Sequence, residues 1–182
     1  MELINSFAVV AYVGDPIAKF VDSIRRELTP GCRHRAHVTI LPPRRLWIPT
    51  EEAIDKARQI LSRFEPFELT LGAVTVFEAT HVVRLSLQTG INELHTLHDI
   101  LNTGPFEQAE AYTYVPHVTL CHDLTDDECS KHREIAIKRW AEFSPKPVSI
   151  DTLTFVQQDS EGNWTDLADL ALGWPHAVRV RR

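Results

Sequence analysis

The chain has 182 residues, 43% of them hydrophobic, which is enough to bury a core as one domain or as two closely packed lobes. Its net charge of −6 argues against nonspecific clamping of long duplex nucleic acid, which needs a dense basic surface, but leaves an RNA terminus or a small nucleotide compatible. Three cysteines without metal-type spacing, and a start that lacks a basic leader or a long apolar run, predict a cytoplasmic monomer with reduced thiols and no membrane contact.

The first half of the chain alternates predicted strands and helices. Turn-forming residues separate apolar runs whose spacing follows either a strand or a helix. These runs predict a strand at Phe7–Val13, a helix that opens at Asp15-Pro16 and ends at Pro30-Gly31, a strand at 36–41 and a helix at about Glu51–Phe64.

The second half begins with two consecutive strands and ends with a hairpin. The predicted elements are strands at about Phe67–Phe77 and His81–Gln88, a helix from Ile91 to Leu101, a strand at 116–121, a helix capped by Thr125 and Glu128, and hairpin strands at Val148–Gln158 and Trp164–Leu172. This order of elements favours an α+β fold over a parallel doubly wound sheet.

The tripeptide His-Val-Thr occurs twice, at 37–39 and 117–119, each time inside a short apolar run. Alternate side chains of a strand share a face, so each histidine points the same way as the threonine two residues later. Each copy is followed by a helix-start signal, and the copies lie about half a chain length apart. This recurrence indicates two similar lobes; the alternative is two unrelated core strands that each carry a satisfied histidine.

A matched pair of imidazoles and hydroxyls suits acid–base chemistry on a phosphodiester. Histidine has an ordinary pKa of about 6.5, so both of its protonation forms are accessible near neutral pH. One imidazole can take a proton while the other gives one, and the two hydroxyls can hold an anion between them. Nothing in the pattern says which histidine is the acid and which the base.

The two motifs resemble those of the 2H phosphoesterase superfamily, which includes 2′-5′ RNA ligase-like proteins and RNA 2′,3′-cyclic phosphodiesterases. The segment Tyr114-Val115-Pro116 is also similar, because an aromatic residue and a proline often precede the second family motif. One departure is Leu41-Pro42-Pro43-Arg44-Arg45, which stands where many members have an aromatic, glycine-containing loop.

The resemblance implies a single bilobal domain over residues 1–182, with two antiparallel sheets in a pseudo-two-fold arrangement, flanked by helices and separated by a central cleft. It implies that His37 and His117 are catalytic, that Thr39 and Thr119 bind phosphate, and that neither a metal nor another cofactor is needed. The expected activity is the opening of a ribose 2′,3′-cyclic phosphate on an RNA end or a nucleotide, with reversible 2′-5′ RNA ligation as a sibling activity.

Three alternatives stay open on the sequence. One is a nucleotide-binding module of the same fold without turnover, and another is an enzyme for a different cyclic phosphate such as ADP-ribose cyclic phosphate. The third, a metal-dependent phosphoesterase, would need carboxylates beside the histidines, and the motif strands lack them.

Weaker candidates surround the motifs. Arg44 could reach the phosphate or a neighbouring nucleotide, although a solvated loop position is equally compatible. Tyr114 could stack on a base, or be a core or rim aromatic. We interpret His95 and His98 as surface histidines, place His122 on the core-facing side of its strand, and interpret the terminal arginines at 179, 181 and 182 as a solvated basic tail.

Overall fold

Two four-stranded antiparallel sheets with four flanking α-helices make up residues 3–173, the part of the chain that the computed structural model describes. The predicted α+β class, with two antiparallel sheets as two lobes about a cleft, is confirmed. The C-terminal tail with Arg179, Arg181 and Arg182 lies outside the described residues.

The element bounds are as follows. The strands are β1 (Leu3–Tyr12), β2 (His37–Arg45), β3 (Phe67–Phe77), β4 (Val82–Thr89), β5 (Val118–Cys121), β6 (Val148–Ile150), β7 (Thr152–Asp159) and β8 (Trp164–Ala171). The helices are α1 (Ile17–Leu28), α2 (Thr50–Leu61), α3 (Ile91–Leu101) and α4 (Asp126–Ala141).

Both motif strands lie at an edge of their sheet. The strand order is β2-β1-β7-β8 in the first sheet and β5-β4-β3-β6 in the second. The edges β2 and β5 contact each other, and helices cross between the lobes, since α1 packs on β5 and α3 packs on β2. This exchange brings the two His-Val-Thr segments together at the junction of the lobes.

Strand alternation explains which side chains face the junction. In β2, Val38 and Ile40 are fully buried while Thr39 on the other face is only partly buried. In β4, Val83 and Leu85 are fully buried and flank the partly buried Arg84. One continuous apolar cluster joins the inner faces of both sheets, so the opposite faces are left for polar side chains.

The predicted strand Val148–Gln158 is two strands. It breaks at Asp151, where β6 leaves β3 of the second sheet and β7 joins β1 of the first. The Asp151 carbonyl accepts a hydrogen bond from the Leu172 N–H at 2.8 Å, which fixes the crossover. An uninterrupted apolar pattern cannot show this change of sheet, because both halves are buried.

Other element boundaries also differ from the prediction, and β1 begins four residues before the predicted start at Phe7. β2 continues through Pro42-Pro43 to Arg45, because an edge strand tolerates residues without an N–H. Helix α1 begins at Ile17 with Pro16 as its N-cap, while Asp15 forms an ion pair with Lys19 instead. Helix α2 ends at Leu61, three residues before the predicted end.

The predicted cap of α4 is confirmed. The Glu128 N–H donates to the Thr125 hydroxyl, and the Glu128 carboxylate accepts from the Thr125 N–H at 2.9 Å. Such reciprocal capping satisfies two backbone donors that the first turn of a helix leaves without partners.

Candidate active site

The two histidines occupy equivalent positions in the two lobes. His37 is the first residue of β2, and His117 immediately precedes β5. Both are partly buried, as are Thr39 and Thr119, and all four side chains lie on the strand faces opposite the core. The four residues that the repeated motif singled out therefore lie on or next to two strands that contact each other.

Each imidazole is held by the same hydrogen bond. The His37 Nδ1 lies 2.7 Å from the Arg35 carbonyl, and the His117 Nδ1 lies 2.7 Å from the Val115 carbonyl. A carbonyl only accepts, so we assign the proton to Nδ1 in both rings. This tautomer leaves each Nε2 free, as an acceptor when the ring is neutral and as a donor when it is protonated.

Hydrogen bonds between the lobes fix the motif strands relative to each other. The Tyr114 hydroxyl donates to the Thr39 carbonyl at 2.9 Å. Arg25 of α1 is buried, and its Nε and Nη2 donate to the Thr119 carbonyl at 2.8 and 2.5 Å. A third donor, Nη1, reaches the His34 carbonyl at 3.1 Å, so one guanidinium ties the approach to β2 to the backbone of β5.

Burial favours the neutral form of both imidazoles. Desolvation, helped by the positive charge of Arg25 and by the neighbouring His34 and His117, lowers the pKa of His37 to about 4. Desolvation and the positive charge of Arg84 lower the pKa of His117.

Each imidazole has an aromatic neighbour. The Tyr12 ring lies edge-on to His37 with centroids 6.2 Å apart, and the Phe77 ring lies edge-on to His117 at 5.0 Å. The Tyr12 hydroxyl donates to Asp166 at 2.6 Å, and Arg35 covers the Tyr12 ring while pairing with the same carboxylate at 2.9 Å. These rings exclude water from one side of each histidine.

Arg44 is buried and its donors are already used. It forms an ion pair with Glu110, and it donates to the Asn102 side chain at 2.6 Å and to the Phe106 and Pro42 carbonyls at 2.8 and 3.0 Å. The interpretation of Arg44 as a solvated loop residue is wrong, because its side chain is buried and four of its five N–H donors bind these partners. We therefore leave Arg44 out of the proposed site.

Tyr114 is also held inside the protein. Its ring stacks on His98 at 4.2 Å, which adds to its hydroxyl bond across the lobes. A base cannot stack on the covered face, so the structure places Tyr114 among the residues that join the lobes.

Two histidines outside the motifs differ from the sequence interpretation. His98 is buried rather than at the surface, because its Nδ1 contacts Asp99 at 2.9 Å and its Nε2 contacts Glu110 at 3.1 Å. His122 is exposed rather than core-facing, because β5 ends at Cys121 and the alternation ends with it.

Sequence reasoning missed Arg25 and Arg84. Arg25 lies on the apolar face of α1 with only 3% of its surface exposed, and no pattern in the neighbouring sequence predicts that an arginine is buried there. Arg84 alternates with apolar residues as any exposed strand residue does, so its place beside the second motif depends on strand pairing.

No group of three potential metal-ligating side chains occurs within residues 3–173, and no helix in that range is long and apolar enough to span a membrane.

A family model described as the 2′-5′ RNA ligase superfamily matches residues 13–162, which include both motifs and all four helices. The chain belongs to this superfamily. The 2H phosphoesterase resemblance inferred from the two His-Val-Thr motifs is therefore confirmed.

Bacterial relatives and solved structures agree with the assignment. A protein of Halalkalibacterium halodurans provisionally named a phosphoesterase is 26% identical over 179 residues, which span 92% of this chain and 98% of the relative. A similarly named protein of Oceanobacillus iheyensis is 28% identical over 123 residues, or 67% of this chain and 70% of the relative.

Escherichia coli LigT has the same fold. It superposes with a TM-score of 0.60 at 18% identity, over 93% of this chain and 98% of LigT. A second LigT structure, complexed with 3′-AMP, gives a TM-score of 0.62 at 18% identity over 92% and 98%. At 18% sequence identity, this similarity shows a shared fold and nothing further.

Proposed function

We propose that this member of the superfamily is a metal-independent phosphodiesterase that opens a ribose 2′,3′-cyclic phosphate on an RNA end or a nucleotide. The observation that carries the proposal is the matched anchoring of His37 and His117, each by an Nδ1 contact of 2.7 Å to the carbonyl two residues earlier. Both Nε2 atoms are thereby left free for proton transfer, on strands that contact each other at the junction of the lobes.

Ring opening divides the work between the two imidazoles. A neutral Nε2 takes a proton from water as the water oxygen bonds to phosphorus, and a protonated Nε2 gives its proton to the ribose oxygen whose bond to phosphorus breaks. The product is a phosphomonoester, by family analogy the 2′-phosphate. General acid–base catalysis of this kind contributes about 10²–10⁴-fold for each group.

The pKa values suggest which histidine takes which role. The pKa of His37 is lowered to about 4, so His37 is neutral near pH 7 and suits the base, which leaves His117 as the acid. Thr39 and Thr119 would donate their hydroxyl hydrogens to the nonbridging oxygens as charge gathers there. In 2′-5′ ligation, the reverse direction, the two histidines would exchange roles.

The test is turnover of 2′,3′-cyclic nucleotides and of a short RNA with a 2′,3′-cyclic phosphate end, in EDTA, with products assigned by phosphorus NMR. We expect hydrolysis by wild type, a loss of at least about 10²-fold in His37→Ala and His117→Ala, and no such loss in the control variant His95→Ala, whose partly buried imidazole lies on α3. Nucleotide binding by a folded wild type that turns over none of these substrates would instead indicate a binding module or another cyclic phosphate.

A leaving-group test separates acid from base. An aryl phosphodiester releases a phenolate that needs little protonation, so His117→Ala should keep most of its activity on such a substrate while His37→Ala should not. The opposite result would reverse the two roles and leave the paired mechanism intact.

A further inference from the structure

Arg84 of β4 is a partly buried cation whose hydrogen-bonding capacity is unused. Its Nε is buried without a hydrogen-bond partner, and within residues 3–173 its guanidinium makes no ion pair. The buried guanidiniums of Arg25 and Arg44, in contrast, donate to two and four partners. An Nε donor that is buried without an acceptor is costly, so its place in the site favours a ligand that accepts a hydrogen bond from it.

The guanidinium is positioned beside the second motif. Arg84 is the ladder partner of Thr119, so the two side chains lie on the same face of the second sheet. It lies 3.8 Å over the Phe77 ring, whose edge meets His117. On its other side Arg84 pairs with Thr75, whose buried hydroxyl oxygen also lacks a partner.

The first sheet has no equivalent free cation at the matching position. The ladder partner of Thr39 there is Val10, and the nearby Arg35 is paired with Asp166. Asp169 adds a further carboxylate on β8. The uncompensated positive charge of the junction therefore lies on the wall of the second sheet, next to His117 and Thr119.

We propose that Arg84 is an anion-binding residue of this site, and that its guanidinium donates hydrogen bonds to a nonbridging oxygen of the substrate phosphate beside His117 and Thr119. The identity of that phosphate as the reacting one rests on the proposed function; the anion site itself does not. A planar guanidinium matches phosphate oxygens better than an ammonium group does, so arginine suits this position better than lysine.

This contact makes the site asymmetric. The phosphate is held against the second sheet, which leaves the ribose and base to extend toward the first sheet. There Ala8, Val10 and Val156 form a small buried apolar cluster with Tyr12 and Trp164 packed against it. This cluster is separate from the main core and lies on the strand faces that carry His37 and Thr39.

The test compares Arg84→Met and Arg84→Lys with the control Arg139→Met. Arg139 also lies over an aromatic ring, that of Phe20, but on the outer helix α4. If Arg84 contacts charge that develops in the transition state, Arg84→Met should lower kcat by about 10²–10³-fold, Arg84→Lys should recover part of the loss, and Arg139→Met should have no effect.

Two further readouts do not depend on turnover. Affinity for inorganic phosphate, measured by calorimetry, should fall at least tenfold in Arg84→Met and stay unchanged in Arg139→Met. The NMR titration of His117 should move to higher pH in Arg84→Met, because the positive charge that lowers the pKa of His117 is gone. A merely structural role for Arg84 would leave the phosphate affinity of the folded variant unchanged, while the titration of His117 checks that the Arg84 charge lies beside this imidazole.

The outcomes separate this proposal from the proposed function. If wild type hydrolyses the cyclic phosphate and Arg84→Met keeps wild-type kcat and phosphate affinity, the Arg84 proposal is overturned and the two-histidine proposal stands. If wild type hydrolyses nothing but phosphate affinity still depends on Arg84, the anion site stands and the proposed reaction does not. A change in KM alone would keep Arg84 as an anion-binding residue but would refute a contact that strengthens in the transition state.

Discussion

Replacing Arg25 by methionine should lower both the free energy of unfolding and the kcat of the protein. Methionine keeps much of the buried stem but removes the donors to the Thr119 and His34 carbonyls. An unpaired buried acceptor costs about 1–3 kcal/mol, so losing the donors to two of them should lower the free energy of unfolding by about 2–4 kcal/mol, after allowing for the relieved desolvation of the cation. This is a large share of the roughly 5–15 kcal/mol typical of a domain.

The neighbouring Arg26 provides the control, because it lies on the same helix and is exposed. Urea unfolding of Arg25→Met and Arg26→Met, with kcat measured in the folded range, gives both readouts. Arg25→Met should also raise the pKa of His37, since the positive charge of Arg25 helps to keep it low. Equal stability of the two variants, with equal kcat, would refute the view that Arg25 fixes the motif strands.

Three further predictions concern pH, metal and the lobe junction. The mechanism requires one neutral and one protonated histidine, and the pKa of His37 is about 4 while that of His117 is also lowered. The value of kcat/KM should therefore peak between pH of about 4 and 6.5 and fall on either side. A profile that rises through pH 8 would contradict this expectation. Turnover should be unchanged after dialysis against EDTA, and loss of activity restored by zinc would refute a metal-independent reaction. Tyr114→Phe should lose about 0.5–1.5 kcal/mol of unfolding free energy with unchanged KM, whereas a raised KM would show that Tyr114 contacts substrate.

The local elements of the fold followed from the sequence. Apolar periodicity located every helix and nearly every strand, and the capping box placed the start of α4. The crossover at Asp151 did not follow, because β6 and β7 are both buried and their shared apolar pattern carries no information about which sheet each joins. Edge position explains the other surprise, the continuation of β2 through two prolines.

The candidate site was predictable where it depends on strand alternation. A repeated His-x-Thr places two side chains on one face whatever the tertiary structure, and the family resemblance supplied the expectation that the two copies meet. Arg25 and Arg84 could not be found in this way, because their contacts with Thr119 join residues from different elements. Arg44 and Tyr114 were singled out by proximity in sequence, which does not show that Glu110 and His98 cover them.

The measurement that tests the central claim most directly is a double-variant comparison of kcat for a 2′,3′-cyclic nucleotide. Groups that act as a unit in one proton-transfer mechanism are strongly non-additive. We predict that His37→Ala and His117→Ala each lose about 10²–10⁴-fold in kcat, and that the double variant is about as slow as either single variant. A single variant with wild-type kcat would contradict the claim that the two histidines work together on one phosphodiester.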